Sequence, residues 1–187
     1  MYKALIALPF AALMTAAAPA QTVASPSIVA PAAVAADPAN RLTLDLSTGK
    51  SVVIQLRPDV APRHVERMQT LVRRGFYDGL TFHRVIPGFM AQGGDPKGTG
   101  QGGSELPDLK AEFTAMPTMR GSLAAARADS PDSANSQFFI MFSPNGGLYQ
   151  KYTVYGRVIQ GMDAVDGIAV GEPPAEPTRI VKARLGA

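Results

Sequence analysis

The stretch FHRVIPGFMAQGGD, residues 82–95, decides how this chain is interpreted. It holds two short segments of strand-forming residues joined by a Pro-Gly pair, which is typical of a tight turn. A long cation, Arg84, stands near the apolar side chains of Phe89 and Met90, and the amide of Gln92 follows. Because a guanidinium is permanently charged and rich in donors, this set suits a site that grips an apolar residue and polarises a group beside it.

Alternation along the first segment predicts which side chains point together. Alternate residues of an extended strand share a face, so Phe82 and Arg84 are predicted to point one way, and His83 and Val85 the other.

A second segment, SQFFI at residues 136–140, carries the same kind of signal. Gln137 and Phe139 are predicted to share one face, and Phe138 and Ile140 the opposite face. Two apolar faces on one strand suit a barrel with a packed interior and a pocket outside. By periodicity alone, however, the aromatic and methionine side chains at positions 89, 90 and 139 favour simple core roles.

Outward from these segments, the chain is mostly a series of short strands. Leucines alternate with polar residues over residues 42–46, and a Thr-Gly-Lys turn follows. Strands are predicted at residues 42–46, 52–56, 81–85, 89–93, 121–126, 137–142, 153–158 and 178–185. One helix is predicted to begin at Pro62 and to end before Gly75, and a short second helix to cover residues 162–168. Many short strands with two helices favour a closed antiparallel β-barrel.

The N-terminal residues 1–20 have the pattern of a cleaved secretory signal. Lys3 precedes an apolar run, and Ala-Pro-Ala at residues 18–20 predicts cleavage after Ala20. The alternative, a membrane anchor, needs about 20 apolar residues, and the run here is shorter. Residues 21–40 are rich in Ala, Pro, Ser and Val and predict a flexible or extended linker. The folded domain is then expected over residues 41–187.

Several familiar chemistries find little support in the sequence. The chain of 187 residues has no cysteine, which excludes disulfides and thiolate catalysis, and its net charge of +3 gives little support for nucleic-acid binding. His64 and His83 are its only histidines, so a zinc site is not expected and no metal is predicted. Residues 98–103 match G-x-G-x-x-G, but neither a strand before them nor a helix after them supports a dinucleotide site. No cofactor is predicted.

The chain resembles the cyclophilin family of peptidyl-prolyl isomerases over residues 41–185. The resemblance rests on motifs in the family's order and spacing: residues 82–95, GSLAAA at 121–126, SQFFI at 136–140, Leu148, and KYTVYGRV at 151–158. It implies a mainly β fold, a closed eight-stranded antiparallel barrel capped by two α-helices. It also implies an enzyme that catalyses cis–trans isomerisation of X–Pro bonds without a metal or cofactor.

The resemblance also implies roles for individual residues. Arg84 is expected to stabilise the twisted amide, with Gln92 and Gln137 orienting it or holding the substrate backbone. Ala125 is expected to offer its main-chain N–H and C=O to the peptide. Further residues expected to line the groove and its proline pocket are Phe89, Met90, Gly98, Ala124, Phe139, Leu148 and Tyr152.

The chain departs from the best-known family pattern at three positions. Gly147 aligns with a pocket tryptophan, Tyr152 with a histidine and Ala125 with an asparagine. The missing indole donor predicts weak cyclosporin binding.

The expected partners are proline-containing, unfolded or partly folded polypeptides. The protein is expected to bind them as a monomer in the periplasm. Two alternatives stay open: a proline-peptide-binding chaperone module with little catalysis, and a secreted barrel whose unrelated ligand binds at residues 98–103.

Overall fold

The computed structural model describes residues 27–186. The predicted signal segment and residues 21–26 of the predicted linker lie outside the described residues. The described chain is mainly β, with few helices, as the sequence predicted.

Within residues 27–186, eight strands, all paired antiparallel, build one sheet. The strands are β1 Arg41–Leu46, β2 Ser51–Leu56, β3 Phe82–Ile86, β4 Met90–Gly93, β5 Ser122–Ala125, β6 Phe138–Met141, β7 Val154–Gln160 and β8 Ile180–Leu185. Their order across the sheet is β3-β4-β6-β5-β7-β2-β1-β8. Each lies where a strand was predicted, within a few residues at each end.

The sheet curls into an open half-barrel, so the predicted closure is wrong. β3 and β8 are its edge strands. A bridge between Thr81 and Arg179 and backbone hydrogen bonds from Phe82 to Thr178 and from Ile180 to Leu80 link their near ends. Beyond Phe82 the two strands do not pair with each other within residues 27–186. The edge of β3 instead pairs with the segment before β8. Val85 and Gly171 exchange two backbone hydrogen bonds, of 2.8 and 3.0 Å. Because Gly171 occupies the edge of β3 at Val85, the pairing with the residues around β8 does not continue past Phe82.

The helices cover the curled sheet. α2 spans Pro62–Arg73 and α3 spans Met162–Asp166, which confirms the two predicted helices, and a short α1 spans Ala32–Ala36. The apolar face of α2 is buried against the inner faces of the strands. This core includes Leu42, Leu44, Ile54, Leu56, Val65, Met68, Leu71, Leu123, Phe138 and Ile140.

The N-terminus of α2 is capped by a residue distant in sequence. The N-cap residue, Ala61, has no side chain that could accept a hydrogen bond. The carboxylate of Glu112 takes its place and accepts from the backbone N–H groups of Arg63 and His64 at 3.1 and 3.0 Å. It also lies 2.6 Å from Nδ1 of His64. Glu112 therefore fixes the loop that precedes β5 to the start of the helix.

A bulge in β3 changes the predicted faces of that strand. The pairing with β4 shifts between Phe82 and Arg84. As a result, Phe82 and Val85 both enter the core, and Arg84 points away from it. The prediction that Phe82 and Arg84 share a face is wrong, because the extra residue in the bulge resets the alternation. The predicted faces of β6 are confirmed.

The part of the predicted linker that the structure describes packs on the sheet. Pro38–Asn40 forms a 3₁₀ turn after α1. Nε2 of Gln55 donates to the carbonyl of Asn40 at 3.1 Å, and Nε2 of Gln69 donates to that of Ala39 at 2.9 Å. Nη1 of Arg57 donates to the carbonyl of Ser27 at 2.8 Å. Composition predicted a flexible or extended linker. It gave no sign of these contacts, because the partner residues lie elsewhere in the sequence.

Candidate functional site

A small cavity opens on the outer face of the sheet, where β3, β4 and β6 lie side by side. Cross-strand pairing sets Arg84 beside Gln92, and Gln92 beside Phe139. The cavity measures about 110 Å³, far below the ~300–1,000 Å³ of pockets for drug-sized ligands. It is lined by Arg84, Phe89, Met90, Gln92, Ala126, Arg127, Phe139, Leu148 and Tyr152. Its size suits one small ring.

Aromatic side chains form one wall of this cavity. The rings of Phe139 and Tyr152 meet edge to face, with centroids 5.5 Å apart. The guanidinium of Arg127 lies over the Tyr152 ring, 4.7 Å from its centroid. Phe139 is only 5% exposed, so the wall is fixed by packing.

Arg84 is held by two partners. Its Nε donates to Oε2 of Glu172 at 2.6 Å, and its Nη1 donates to Oε1 of Gln92 at 3.5 Å. The shorter contact is to Glu172, which the sequence did not identify. Gln137 does not touch Arg84 but acts one step away, because Oε1 of Gln137 accepts from Nε2 of Gln92 at 2.8 Å.

Gln137 also ties the site to the glycine-rich loop. Its Nε2 donates to the carbonyl oxygens of Gly100 and Gly102 at 3.0 and 2.8 Å. A continuous chain of hydrogen bonds therefore runs from Arg84 through Gln92 and Gln137 to the loop at residues 98–103.

Asp95 organises that loop from within. Its carboxylate is 1% exposed and accepts from the backbone N–H groups of Lys97, Thr99 and Gly100 at 2.8, 2.9 and 2.6 Å. Burial opposes ionisation, but the backbone donors outweigh it and hold the pKa of Asp95 below its usual value. A side chain at Gly102 would collide with this carboxylate. The glycines thus serve a turn wrapped around an internal carboxylate.

The loop forms one side of a second depression of about 460 Å³. This depression and the small cavity share Gln92, Ala126 and Arg127. Together they make a groove with a ring-sized pocket at one end.

One known protein family matches nearly all of the described chain. The family model described as "Cyclophilin type peptidyl-prolyl cis-trans isomerase/CLD" matches residues 42–185. The chain belongs to the cyclophilin family. It is a cyclophilin-type peptidyl-prolyl isomerase, as the motifs in the sequence predicted.

Individual cyclophilins show how close the likeness is. A "Probable peptidyl-prolyl cis-trans isomerase" of Brucella suis is 48% identical over 169 residues, which cover 82% of this chain and 86% of the relative. The human "Peptidyl-prolyl cis-trans isomerase-like 1" is 38% identical over 141 residues, covering 71% and 84%.

Solved structures agree with these sequence relatives. A cyclophilin from Hirschia baltica aligns with a TM-score of 0.73 and 30% identity, over 80% of this chain and 74% of that one. A Cryptosporidium parvum cyclophilin, solved in the presence of the dipeptide Ala-Pro, aligns with a TM-score of 0.73 and 26% identity, over 79% and 99%.

The structure brings most of the predicted site residues of this cyclophilin together, but not all of them. Ala124 pairs with Phe139 and is fully buried in an apolar cluster with Met90 and Phe139. Ala125 faces the inner core, and its N–H donates to the carbonyl of Thr153 at 3.0 Å. That N–H is not free for a peptide, because β5 lies between two other strands. Gly98 lines neither depression of the groove.

Sequence reasoning missed three residues at or beside the cyclophilin groove. Ala126 and Arg127 line it in place of Ala125, because β5 ends at Ala125 and the chain emerges there. A cation directly after an alanine run was the available signal for Arg127. Glu172 had no local signal, since its contact with Arg84 spans 88 residues of sequence.

A wider depression of about 520 Å³ lies between the end of α2 and β8. Two of its cations are already paired, Lys182 with Asp78 and Arg184 with Asp45. No aromatic side chain among residues 27–186 lines it. It offers no wall that could bind a ring, so we place the site in the groove.

Metal-binding clusters and membrane-spanning helices are both absent from residues 27–186. No cluster of three or more histidine, aspartate or glutamate side chains in this range has the arrangement of a metal site. Within the same range, no helix has the length and apolar character needed to cross a membrane.

Proposed function

We propose that Arg84 accelerates rotation about X–Pro bonds by stabilising the twisted amide of a substrate held in the small cavity. The observation that carries this proposal is the position of Arg84. It lines the same 110 Å³ cavity as Phe89, Met90, Phe139 and Leu148. A permanent cation therefore stands at the edge of a ring-sized apolar pocket.

The chemistry of the barrier explains why this placement matters. Amide resonance sets a rotation barrier of about 18–20 kcal/mol for a peptide bond. In the twisted transition state, resonance is lost and the prolyl nitrogen regains a lone pair. A donor aimed at that nitrogen binds the transition state more strongly than the planar ground state, and only such differential binding accelerates the reaction. The step breaks no covalent bond and needs no nucleophile.

The rest of the groove supports binding of an extended chain. The apolar wall would hold the proline ring, and the second depression would receive neighbouring substrate residues. Gln92 borders both depressions, so it can meet the substrate backbone while it contacts Arg84.

The biological substrates we propose are exported polypeptides with slow X–Pro steps. The signal pattern at residues 1–20 supports export, cleavage after Ala20 and action by a monomer in the periplasm. Sequencing the N-terminus of the protein recovered from an envelope fraction tests this part. A chain that stays in the cytoplasm with residues 1–20 attached would overturn it.

A protease-coupled assay on a short Ala-Pro-Phe peptide tests the catalytic proposal. Wild type should accelerate the cis-to-trans step, and Arg84→Ala should lose most of that acceleration. Arg84→Lys is the matched control, because it keeps a positive charge but lacks the planar guanidinium. If wild type and Arg84→Ala are equally fast, Arg84 does not carry the chemistry.

A second candidate function is binding without much catalysis, as in a chaperone module. What favours it is Gly147, which precedes Leu148 of the cavity, aligns by resemblance with a pocket tryptophan and has no side chain. Suppressed aggregation of a client protein, together with no acceleration of proline isomerisation, would support this candidate over the first.

A further inference from the structure

We propose that Glu172 is a positioning residue for catalysis, which holds the guanidinium of Arg84 in its working orientation. The inference rests on the proposed role of Arg84. Its starting point is the 2.6 Å contact between Nε of Arg84 and Oε2 of Glu172.

The backbone fixes Glu172 beside Arg84. Val85, the next residue after Arg84, exchanges two hydrogen bonds with Gly171, the residue before Glu172. Gly171 has φ +148°, and a Cβ there would lie 2.6 Å from Cα of Pro174. No other residue fits that turn without a shift of the backbone. The two side chains are therefore neighbours because their strand edges are paired.

The contact leaves the useful part of the guanidinium open. Glu172 accepts from Nε, and Oε1 of Gln92 lies 3.5 Å from Nη1, a long and weak contact. Nη2 makes no hydrogen bond to any residue within 27–186. With Nε held, the two Nη2 hydrogens remain available at a cavity that Arg84 lines.

A carboxylate next to a catalytic cation has two opposing effects. It offsets part of the positive charge, and it restricts a long, mobile side chain. The side chains of Arg84 and Glu172 are 42% and 51% exposed, so water and salt screen the offset. Orientation, in contrast, matters steeply, because a displacement of about 1 Å can lower a rate by ~100-fold. Restriction is therefore expected to dominate, and Glu172 to raise the rate.

The test compares six chains in the coupled assay: wild type, Glu172→Ala, Glu172→Gln, Arg84→Ala, the double variant Arg84→Ala/Glu172→Ala, and Glu176→Gln. Glu172→Ala should lower kcat by about five- to tenfold and change KM by less than about twofold, because the apolar pocket is untouched. Glu172→Gln should lower kcat less than Glu172→Ala does, since the amide oxygen of glutamine can still accept from Nε of Arg84. Glu176→Gln is the matched control: it removes the same charge from the same loop, where Glu176 is exposed and forms no ion pair with residues 27–186. It should match wild type.

The double variant separates positioning from folding. If Glu172 acts through Arg84, adding Glu172→Ala to Arg84→Ala should lower kcat/KM by less than about twofold further. If Glu172→Ala lowers kcat/KM as much in the Arg84→Ala background as it does in wild type, Glu172 has a general structural role and the proposal is overturned. Wild-type rates for both Glu172 variants, with a slow Arg84→Ala, would overturn it while leaving the proposed function intact. A fully active Arg84→Ala would overturn both.

Discussion

Replacing the buried Asp95 by asparagine should destabilise the fold and loosen the groove. An asparagine keeps one acceptor oxygen where the carboxylate has two, so at least one of the backbone donors at Lys97, Thr99 and Gly100 loses its partner. Hydrogen bonds to charged groups contribute about 1.5–3 kcal/mol each. One hydrogen bond is lost, and the others are weakened because their acceptor is no longer charged. Together these changes should lower the free energy of unfolding by about 2–4 kcal/mol. At ~2–4 °C per kcal/mol, Tm should fall by about 5–15 °C.

The same variant makes a prediction about pH. Backbone donors depress the pKa of Asp95 in the folded chain, against the effect of burial. Its ionised form therefore stabilises the fold above the unfolded pKa of about 3.9, and this contribution is lost as the pH falls through the lower folded value. The Tm difference between wild type and Asp95→Asn should shrink below about pH 4. Thermal unfolding by circular dichroism across this range measures it.

Asp129→Asn is the control for this prediction, because Asp129 is exposed and its carboxylate has no hydrogen-bond partner in the described part of the chain. It should leave Tm almost unchanged. A Tm shift for Asp95→Asn as small as that of the control would refute the reasoning. So would a Tm difference that stays constant down to the lowest pH at which the chain folds.

Three further predictions use other parts of the molecule. Burial lowers the pKa of both His64 and His83, so the fold binds fewer protons than the unfolded chain just below about pH 6.5, and stability should fall as the pH drops there. In urea unfolding, the free energy of unfolding of His83→Asn should depend less on pH than that of wild type. An unchanged pH dependence would contradict this prediction. Glu112→Ala removes the cap of α2 and should cost about 1–2 kcal/mol in urea unfolding, whereas wild-type stability would show that the cap is dispensable. Cyclosporin should inhibit weakly, since Gly147 supplies no indole donor, and a low-nanomolar inhibition constant would refute this.

Much of the fold was predictable because local signals agreed with the final structure. The alternation of leucines in β1 and the Pro62-to-Gly75 pattern of α2 each locate an element correctly. Closure of the sheet was not predictable in this way. It depends on how far the edge of β3 pairs with the residues around β8 before the segment around Gly171 replaces them, and these contacts join residues far apart in sequence.

The candidate site, like the fold, was predictable only in part. Met90, Gln92 and Phe139 converge as predicted, because the strands that carry them pair in register. The face of Arg84 relative to Phe82 was predicted wrongly, since a bulge has no clear signal in residues 82–86. Glu172 was missed because a side chain that enters from another loop leaves no trace in the motif it supports.

The central claim is that Arg84 acts on the transition state and not on ground-state binding. The direct measurement is kcat and KM for wild type and Arg84→Ala on one Ala-Pro peptide. Loss of a single transition-state donor typically lowers kcat by about 100- to 1,000-fold, and we expect a loss of this order with KM nearly unchanged. An Arg84→Ala chain with wild-type kcat and a raised KM would contradict the account, because it would show that Arg84 only holds the substrate.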